Sequence, residues 1–495
     1  MKDIKNIDLN KIRISSDVLE LIPGAFCRRM QVLPLAEEGG VLSVLMADAS
    51  NFDTVGKIEN LTQLLVRPIQ ADDIEQLSLA VKRYYPDSYR NAGTAEHIFD
   101  TVVNRALQMK CSDIHLSPTH DGGEVKLRLD GKIHKELELS TTAMMELVSF
   151  IKVMAGLDIS EKRVPLDGSI TITSEGEDLN LRIATVPTVY GEHLTMRLLS
   201  GRMISGLNNL ENLGMSHTHY EIYSKALAIP NGIILLSGPT GSGKTTTLYA
   251  SLRKFSVRGD LHIITIEDPV EMPIENVTQI KIDADDDRVS FSKALKSVLR
   301  HDPDIIMIGE IRDFETADIA VKSALTGHLV FSTLHTNSAP GILTRLINLG
   351  ISPFLVAATL NIAVAQRLVR KPCTYCMEWV EPDKKESEII ATFMNSPLAS
   401  QVKYEEKVPK ANGCSYCAET GYSGRTAVYE MLPVDDHIKQ MIIAGAGEVE
   451  LYREMRESYT LPTLRDDGIY KVLNGFTTLE ELESICSLNY NHKVD

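Results

Sequence analysis

The sequence has none of the long apolar runs that mark membrane-spanning chains. Its longest apolar stretch, residues 351–365, is interrupted by Ser352, Pro353, Thr359 and Asn361. That stretch is too short and too polar to cross a bilayer, so we expect a buried core helix there. The N-terminus shows no basic start followed by an apolar core, so we expect no secretory signal. Any membrane contact is therefore expected to be peripheral.

Positive charge is also scarce. The chain has 51 lysines and arginines against 67 aspartates and glutamates, which gives a formal net charge of −16. Nucleic-acid binding depends largely on basic surface that neutralises phosphates. We therefore expect no direct contact with nucleic acid, although this composition leaves room for a local basic groove.

At 495 residues the chain is too long for one ordinary hydrophobic core, so several domains are expected. The apolar pattern predicts an α/β fold class, and alternating residues before Asp130-Gly131 predict a hairpin in the second region. The five predicted regions are a small α/β domain over residues 1–88, an α+β domain over 95–205, an α/β core over 206–372, a cysteine-bearing segment over 373–425 and a helical region over 426–495.

Four nearly continuous apolar runs predict parallel strands that are covered on both faces. Polar groups follow each run, among them Glu267, Glu310 and His335. Because ligands of doubly wound sheets lie outside the carboxyl ends of the strands, we expect these groups to converge on one crevice. The four predicted strands are Gly232–Ser237, Leu261–Ile266, Asp304–Ile308 and Leu329–Leu334.

Glycine is concentrated where the first of these strands ends. Residues 238–245 fit the G-x-x-x-x-G-K-[ST] pattern of a phosphate-binding loop between a strand and a helix. Backbone N–H groups there can wrap a phosphate, Lys244 can reach the β- and γ-phosphates, and the Thr245 hydroxyl can bind Mg²⁺. A chance glycine-rich turn is the alternative. The predicted nucleotide contacts are Gly238, Pro239, Thr240, Gly241, Ser242, Gly243, Lys244, Thr245 and Thr246.

Two acidic positions are candidates for hydrolysis of a terminal phosphate, which needs a carboxylate to orient or deprotonate water. Residues 304–310 look like a variant of the acidic strand that usually holds Mg²⁺, with the acid displaced to Glu310. Glu267, followed by Asp268, offers a second carboxylate. The alternatives are an exposed acid at a loop start for Glu310 and a helix or turn cap for Glu267 and Asp268.

Two histidines are candidates for contact with the nucleotide. His328 and His335 flank the fourth strand, and either can sense a γ-phosphate through a hydrogen bond. The alternative is a structural histidine that bonds the backbone. For His328 the two interpretations are equally supported, whereas for His335 we favour the functional one.

Two arginines of the second region are also candidates. Arg182 and Arg197 lie in apolar strand stretches, where an arginine needs a partner. That partner is either a local carboxylate or a nucleotide reached by an arginine finger.

Cysteine is rare, and four of the seven cysteines form two C-x-x-C pairs, Cys373 with Cys376 and Cys414 with Cys417. The two-residue spacing lets both thiolates of a pair bind one metal from a tight turn, and two pairs complete a tetrahedral S₄ set. We therefore predict a structural Zn²⁺ site. An iron–sulfur cluster and unmetallated thiols are the alternatives.

Several longer segments resemble the secretion ATPase superfamily, in the branch of type II secretion and type IV pilus assembly ATPases. Residues 264–271 (ITIEDPVE) are similar to the family's aspartate box, and residues 300–313 (RHDPDIIMIGEIRD) to its atypical Walker B segment. Residues 326–337 (TGHLVFSTLHTN) are similar to its histidine box. Residues 365–370 (AQRLVR), followed by the four cysteines, are also typical.

This resemblance implies a RecA-like P-loop NTPase core preceded by a PAS-like α+β domain and a partner-docking first domain. It implies a cytoplasmic homo-hexamer, peripheral at the inner membrane, in which ATP and Mg²⁺ bind at the subunit interface. Hydrolysis would move an inner-membrane platform protein and add pilin-like subunits to a fibre. Glu310 matches the Walker B glutamate, taken as the general base, and Glu267 the aspartate-box acid near Mg²⁺. Arg182 and Arg197 match arginines that reach toward nucleotide.

The chain departs from the family pattern at Leu166 and Ser169, where members usually carry glutamine and arginine. One arginine contact is therefore expected to be missing. The first domain shows no evident cyclic-dinucleotide motif, so that ligand is not predicted. The tetracysteine segment and the extra first domain favour an assembly motor over a retraction motor. Two other functions stay open: a motor for DNA uptake or conjugative transfer, and a nucleotide-gated scaffold that barely hydrolyses.

Overall fold

The chain is organised as two compact units. The first comprises the chain up to Leu198 together with Cys373–Met377 and Ala411–Tyr422, and the second comprises the remainder. In the described part of the chain, no helix combines the length and the apolar character that a membrane span requires. The computed structural model describes residues 14–15, 18–19, 21–22, 26–27, 30–84, 94–174, 177–199, 209–282 and 290–486.

The first domain contains a small mixed sheet, as its apolar pattern predicts. Strands β1 (Val32–Glu38) and β2 (Val41–Met46) are antiparallel, whereas β2 and β3 (Leu65–Gln70) are parallel. The helix Phe52–Thr62 supplies the crossover that a parallel pair needs. The helix Ile74–Tyr84 packs against β1.

The second domain is a six-stranded sheet with order β6-β5-β4-β9-β8-β7. The predicted hairpin at Asp130-Gly131 joins β5 to β6. Helices Ala95–Gln108 and Thr141–Met154 share one hydrophobic core with the alternate residues of the strands that face them. The other face is polar, in keeping with the two-residue period of a strand. The strands are β4 (Asp113–Thr119), β5 (Gly122–Leu129), β6 (Lys132–Leu139), β7 (Leu166–Ser174), β8 (Glu177–Thr188) and β9 (Gly191–Leu199).

The second unit is built on a seven-stranded sheet with order β12-β11-β13-β14-β10-β15-β18. The pairings from β12 through β15 are all parallel. The four strands predicted from apolar runs are its four central strands. The sheet consists of β10 (Gly232–Ser237), β11 (Ile263–Glu267), β12 (Val277–Lys281), β13 (Ile305–Ile308), β14 (Leu329–Leu334), β15 (Leu360–Pro372) and β18 (Tyr422–Pro433).

The register of this sheet decides where its polar groups lie. Ser237 on β10 pairs with Leu334 on β14, and Ser332 on β14 pairs with Ile308 on β13. β10 and β14 therefore end level, and β13 ends two residues short of them. Odd and even strand residues enter two separate hydrophobic cores, one on each face of the sheet, as buried parallel strands require.

Helices cover both faces of the sheet. A short two-stranded ladder of β16 (Glu378–Val380) and β17 (Val408–Lys410) lies outside it. The helices of this unit are His217–Leu227, Lys244–Ser256, Phe291–Val298, Phe314–Leu325, Ala339–Asn348, Pro353–Thr359, Lys384–Phe393, Asp436–Ile443, Glu448–Glu457, Leu464–Leu473 and Leu479–Glu483.

The apolar stretch 351–365 differs from the buried core helix that we expected. Ser352 caps a helix of only seven residues, Pro353–Thr359, and the chain then enters β15. The helical prediction is wrong from Leu360 onward, because Leu360 and residues 362–365 pair with β10 inside the sheet. A short apolar run is compatible with either a helix or a strand, and here pairing with the neighbouring strand β10 makes it a strand. Likewise β18 is a strand at the start of the region predicted to be helical, and helices begin only at Asp436.

Candidate functional site

The loop after β10 follows a path that only glycine allows at three positions. Gly238, Gly241 and Gly243 have φ values of +149°, +78° and +85°. A Cβ on Gly238 would lie 2.4 Å from the carbonyl oxygen of Gln366, and one on Gly243 would lie 2.8 Å from the Nε2 of that residue. Backbone angle and space therefore both favour glycine at positions 238 and 243, whereas at position 241 the backbone angle alone favours it.

The helix Lys244–Ser256 begins directly from this loop and has no side-chain cap. The first N–H groups of a helix have no partner within it, so they can bind an anion. Three other helices of the same unit are capped by side chains: Ser290, Asp313 and Ser338 each accept a backbone N–H at a helix start. The uncapped glycine-rich start therefore fits a phosphate group.

Lys244 occupies the position expected of a phosphate-binding lysine. Its Nζ donates to the carbonyl oxygens of Gly238 at 2.8 Å and Pro239 at 3.1 Å. Burial lowers the pKa of Lys244, the nearby Glu310 carboxylate raises it, and Arg367 lowers it. Lys244 and Glu310 therefore lie within electrostatic reach of each other, although they follow different strands.

Glu310 follows β13 and contacts two basic side chains. It forms an ion pair with Arg312, and its Oε2 lies 3.6 Å from Nε2 of His335, which follows β14. Glu310 raises the pKa of Arg312. The Glu310 side chain is 17% exposed, so its carboxylate is shielded but still accessible. The structure thus brings together Lys244, Glu310 and His335 at one edge of the sheet.

Glu267 is the last residue of β11 and lies close to the backbone of Gly309. A Cβ added to Gly309 would be 3.6 Å from the Cα of Glu267. Its carboxylate is buried and accepts hydrogen bonds from Tyr249 Oη, from Thr265 Oγ1 at 2.5 Å and from Gln279 Nε2 at 3.1 Å. Burial raises the pKa of Tyr249, and the neighbouring Glu267 carboxylate raises it further. Tyr249 lies on the helix that begins at Lys244, so Glu267 links that helix to β11.

The two histidines lie at opposite ends of β14. The His335 side chain is half exposed beside Glu310. His328 precedes the strand, with Nδ1 lying 2.9 Å from the Ser323 carbonyl oxygen and 3.2 Å from Thr326 Oγ1. Six strand residues separate them, which is about 20 Å. For His328 the geometry supports the structural alternative.

Arg182 and Arg197 belong to the first unit, on the polar face of its six-stranded sheet. Arg197 Nε lies 3.0 Å from Asp113 Oδ1, and Arg128 Nε lies 3.3 Å from Asp113 Oδ2. The local salt bridge considered for Arg197 is therefore present. Arg182 is exposed and pairs across the ladder with Ser169, one of the two positions at which the chain departs from the family pattern.

The four cysteines of the C-x-x-C pairs form one cluster in the first unit. All four Sγ atoms lie within 4.8 Å of one another. Cys373 to Cys414, Cys376 to Cys417 and Cys414 to Cys417 are 3.9, 3.8 and 3.7 Å apart. These separations are too long for disulfides, which are about 2.05 Å.

The geometry of this cluster fits Zn²⁺. Tetrahedral Zn–S bonds of about 2.3 Å place the sulfurs about 3.8 Å apart, as observed. Both pairs use the same tight turn: the N–H of Cys376 donates to the carbonyl of Cys373, and the N–H of Cys417 to that of Cys414. Gly421 N–H also donates to Cys417 Sγ at 3.2 Å, which is typical support for a thiolate.

Three residues of the site were not singled out from the sequence. Arg312 was visible only as part of the Walker B-like segment. Gln366 bonds the phosphate-binding loop, and Arg367 Nη2 donates to Asn337 Oδ1 at 2.9 Å. Both lie on β15, more than a hundred residues from the loop. The signal was the AQRLVR segment, but only the strand order places it beside β10.

Comparison with protein families identifies two matching models. A model described as "Type II/IV secretion system protein" matches residues 89–484. A second, described as "MshEN domain", matches residues 3–90. The first covers well over half of the chain.

Individual relatives agree with this match. The type IV pilus assembly ATPase PilB of Myxococcus xanthus is 37% identical over 508 residues, covering 96% of this chain and 88% of that protein. The type II secretion system protein E of Pseudomonas aeruginosa is 42% identical over 385 residues, covering 78% and 74%. The Legionella pneumophila ATPase DotB shares the fold, with a TM-score of 0.57 at 19% identity over 81% of this chain and 97% of that one.

The predicted α/β fold class, the resemblance and the assignment as an ATPase are confirmed by these matches. Together with the loop, the acid and the histidine at one sheet edge, they identify the chain as a member of the type II/IV secretion system protein family.

Proposed function

We propose that this chain is a Mg²⁺-dependent ATPase that works as a homo-hexamer at the cytoplasmic face of the inner membrane. In this proposal, ATP hydrolysis drives assembly of a type IV pilus or a type II secretion pseudopilus. The observation that carries it is the meeting of Lys244, Glu310 and His335 at adjacent strand ends. The names of the two relatives support the cellular role.

Each residue of the site has a proposed part in hydrolysis. The loop 238–246 holds the β- and γ-phosphates through backbone N–H groups, and Lys244 exchanges its loop carbonyls for phosphate oxygens. Thr245, exposed beside Lys244, is the proposed Mg²⁺ ligand, and the ion supplies neutralisation of phosphate charge. Glu310 accepts the proton of the attacking water, and His335 senses the γ-phosphate beside it.

Glu267, Arg182 and Arg197 have proposed supporting parts. Glu267 is held by Tyr249 and Gln279, so it would act near Mg²⁺ only after one of these partners is displaced. Arg182 and Arg197 are proposed to reach the nucleotide of a neighbouring copy. The exposure of Arg182 and the shared polar sheet face support this part; Arg197 would have to leave Asp113.

The remaining regions complete the proposed machine. Residues 1–88 would dock a cytoplasmic partner, residues 95–205 would contact the neighbouring subunit, and residues 206–372 would hold the nucleotide core. Residues 373–425 would hold one Zn²⁺ through Cys373, Cys376, Cys414 and Cys417, and residues 426–495 would complete the core. An inner-membrane platform protein is the proposed output partner.

Turnover of the purified full chain tests this function. We expect ATP hydrolysis in the fraction whose mass by light scattering is that of a hexamer, and its loss when EDTA removes Mg²⁺. Added DNA should leave the rate unchanged. Hydrolysis that survives EDTA would contradict the Mg²⁺ requirement, and strong stimulation by DNA would favour a motor for DNA uptake or conjugative transfer. Negligible turnover in the assembled ring would favour a nucleotide-gated scaffold.

A further inference from the structure

Gln366 on β15 is buried against the phosphate-binding loop, with 1% of its surface exposed. Its Nε2 donates to the Ser242 carbonyl oxygen at 2.9 Å, and its Oε1 accepts from Thr247 Oγ1 at 2.9 Å. Its backbone and side chain also form the wall that excludes a Cβ from Gly238 and Gly243. One side chain thus touches both the loop and the helix that follows it.

The bond to Ser242 controls the direction of a loop peptide. In a trans peptide the carbonyl and the following N–H point in opposite directions. Because Gln366 holds the Ser242 carbonyl, the N–H of Gly243 points away from Gln366. A phosphate cradle needs its N–H groups turned toward the anion and its carbonyls turned away. Gln366 therefore holds this peptide in the orientation that an anion requires.

The two partners together determine which end of the carboxamide faces the loop. A glutamine side chain can present either its oxygen or its NH₂ group. The Ser242 carbonyl can only accept, so the NH₂ group faces it, and the Thr247 hydroxyl on the helix Lys244–Ser256 then donates to Oε1. The reversed carboxamide would place two oxygens in contact.

We propose that Gln366 is a positioning residue for nucleotide binding, which sets the Ser242–Gly243 peptide of the phosphate-binding loop from the neighbouring strand. This inference rests on the proposed function in that the bound anion is the polyphosphate of a nucleotide. It adds a residue that touches no reacting atom and acts only through the loop.

The test compares Gln366→Met and Gln366→Glu with the unaltered full chain. Met fills the space without hydrogen bonds, and Glu retains the acceptor for Thr247 but places an oxygen against Ser242. The dissociation constant for ADP with Mg²⁺ is measured by titration calorimetry. We expect both variants to bind at least about tenfold more weakly, because both lose the buried hydrogen bond to Ser242. Thr247→Val should weaken binding less. The matched control is Gln401→Met, which removes a glutamine whose side chain bonds Thr218 instead.

Hydrogen exchange of residues 238–247 without nucleotide provides a second measurement. We expect faster exchange in Gln366→Met and unchanged exchange in Gln401→Met. Met and Glu variants that bind ADP as tightly as the unaltered chain and exchange at its rate would overturn the inference, because a side chain that only fills space tolerates both substitutions. If a Gln366 variant does not fold, the Thr247→Val variant decides, and unchanged affinity and exchange there overturn the inference.

These measurements distinguish failure of the role of Gln366 from failure of the proposed function. If the unaltered chain binds ADP but hydrolyses no ATP, the proposed function fails while the affinity comparison still decides the role of Gln366. If it hydrolyses ATP and the variants bind as tightly as it does, the role of Gln366 fails and the function stands. If it binds no ADP, the exchange comparison alone supports or overturns the part played by Gln366.

Discussion

The carboxylate Oε2 of Glu310 lies 3.6 Å from Nε2 of His335, although the two residues end different strands. They meet because β13 and β14 are parallel neighbours, and Ile308, the last residue of β13, pairs with Ser332, two residues before the end of β14. Burial lowers the pKa of Lys244, and the Glu310 carboxylate lies close enough to oppose that decrease. A basic loop, an acid and a histidine are thus assembled by strand register alone.

Replacement of Lys244 by alanine is expected to lower ATP turnover at least 100-fold, since removal of one preorganised donor to developing charge costs about 10²–10³ in rate. The assay is steady-state phosphate release by the assembled full chain. Lys254→Ala is the matched control, because Lys254 is an exposed lysine in the last turn of the same helix and its loss should leave turnover unchanged. Comparable rates in both variants would remove Lys244 from the site.

The cysteine cluster predicts one Zn²⁺ per chain, measurable by elemental analysis. Replacement of Cys414 by serine should lower the zinc content well below one, because the remaining three thiolates do not close a tetrahedral site. Cys486→Ser should retain full zinc, since Cys486 lies outside the cluster. A Cys414→Ser protein with full zinc content would show that Cys414 is not a ligand.

Glu430 on β18 is a buried acid that caps two helices at once. Its Oε1 accepts the backbone N–H of Ala339 at 2.8 Å, and its Oε2 accepts that of Leu464 at 3.3 Å. Burial raises the pKa of Glu430 to about 7, and the nearby Asp466 and Glu448 add to the increase. The two N–H groups act in the opposite direction and lower it. The helix at Ala339 follows the His335 segment, so this carboxylate anchors one flank of the site.

This raised pKa predicts how stability depends on pH. Between pH 4.5 and about 7 the folded chain retains a proton on Glu430 that the unfolded chain has lost. The contribution of Glu430 to stability is therefore complete below pH 4.5 and is lost as pH rises through about 7. Relative to Glu430→Gln, which stays neutral, the unaltered chain should lose on the order of 3 kcal/mol between pH 5 and pH 8.5.

Thermal unfolding midpoints of the chain and the Glu430→Gln variant at both pH values measure this difference. The exposed substitution Glu457→Gln is the control, and its difference from the unaltered chain should not change with pH. A Glu430→Gln difference that is equally independent of pH would contradict the account of the buried carboxylate.

Asp467 anchors a second buried charge network in the same unit. It pairs with Lys471 at 2.6 Å, lies 3.4 Å from His219 Nδ1 and accepts the backbone N–H of Tyr429 at 2.8 Å. Asp467→Asn leaves Lys471 buried without a counter-charge, which should destabilise the fold by about 3–5 kcal/mol in urea unfolding. The exposed Asp436→Asn should change stability little, and equal small effects would show that the network is unimportant.

Sequence patterns predicted the parts of the site that local chemistry determines. Three glycines and a lysine specify the loop, and buried apolar runs specify the central strands, so the positions of Glu310 and His335 followed from strand order. His328 carries the same chemistry as His335, and only the position of the strand ends shows that it lies at the far edge.

Packing determined what the patterns did not predict. Residues 360–372 form β15 because β10 is available to pair with them, and Gln366 reaches the loop only in that arrangement. Glu267 was placed at a strand end by its apolar run, but its three hydrogen-bond partners come from two other elements and its own strand. Interactions of this range leave no periodic signal in the sequence.

The most direct test of the site is a comparison of ATP binding and hydrolysis in the Glu310→Gln variant of the assembled chain. We expect the variant to bind ATP with Mg²⁺ as tightly as the unaltered chain and to hydrolyse it about 10²- to 10⁴-fold more slowly, the range for loss of a general base. In a single-turnover experiment, the bound nucleotide would be recovered as ATP. Recovery of ADP at the rate of the unaltered chain would show that Glu310 is not the base and would contradict the central claim.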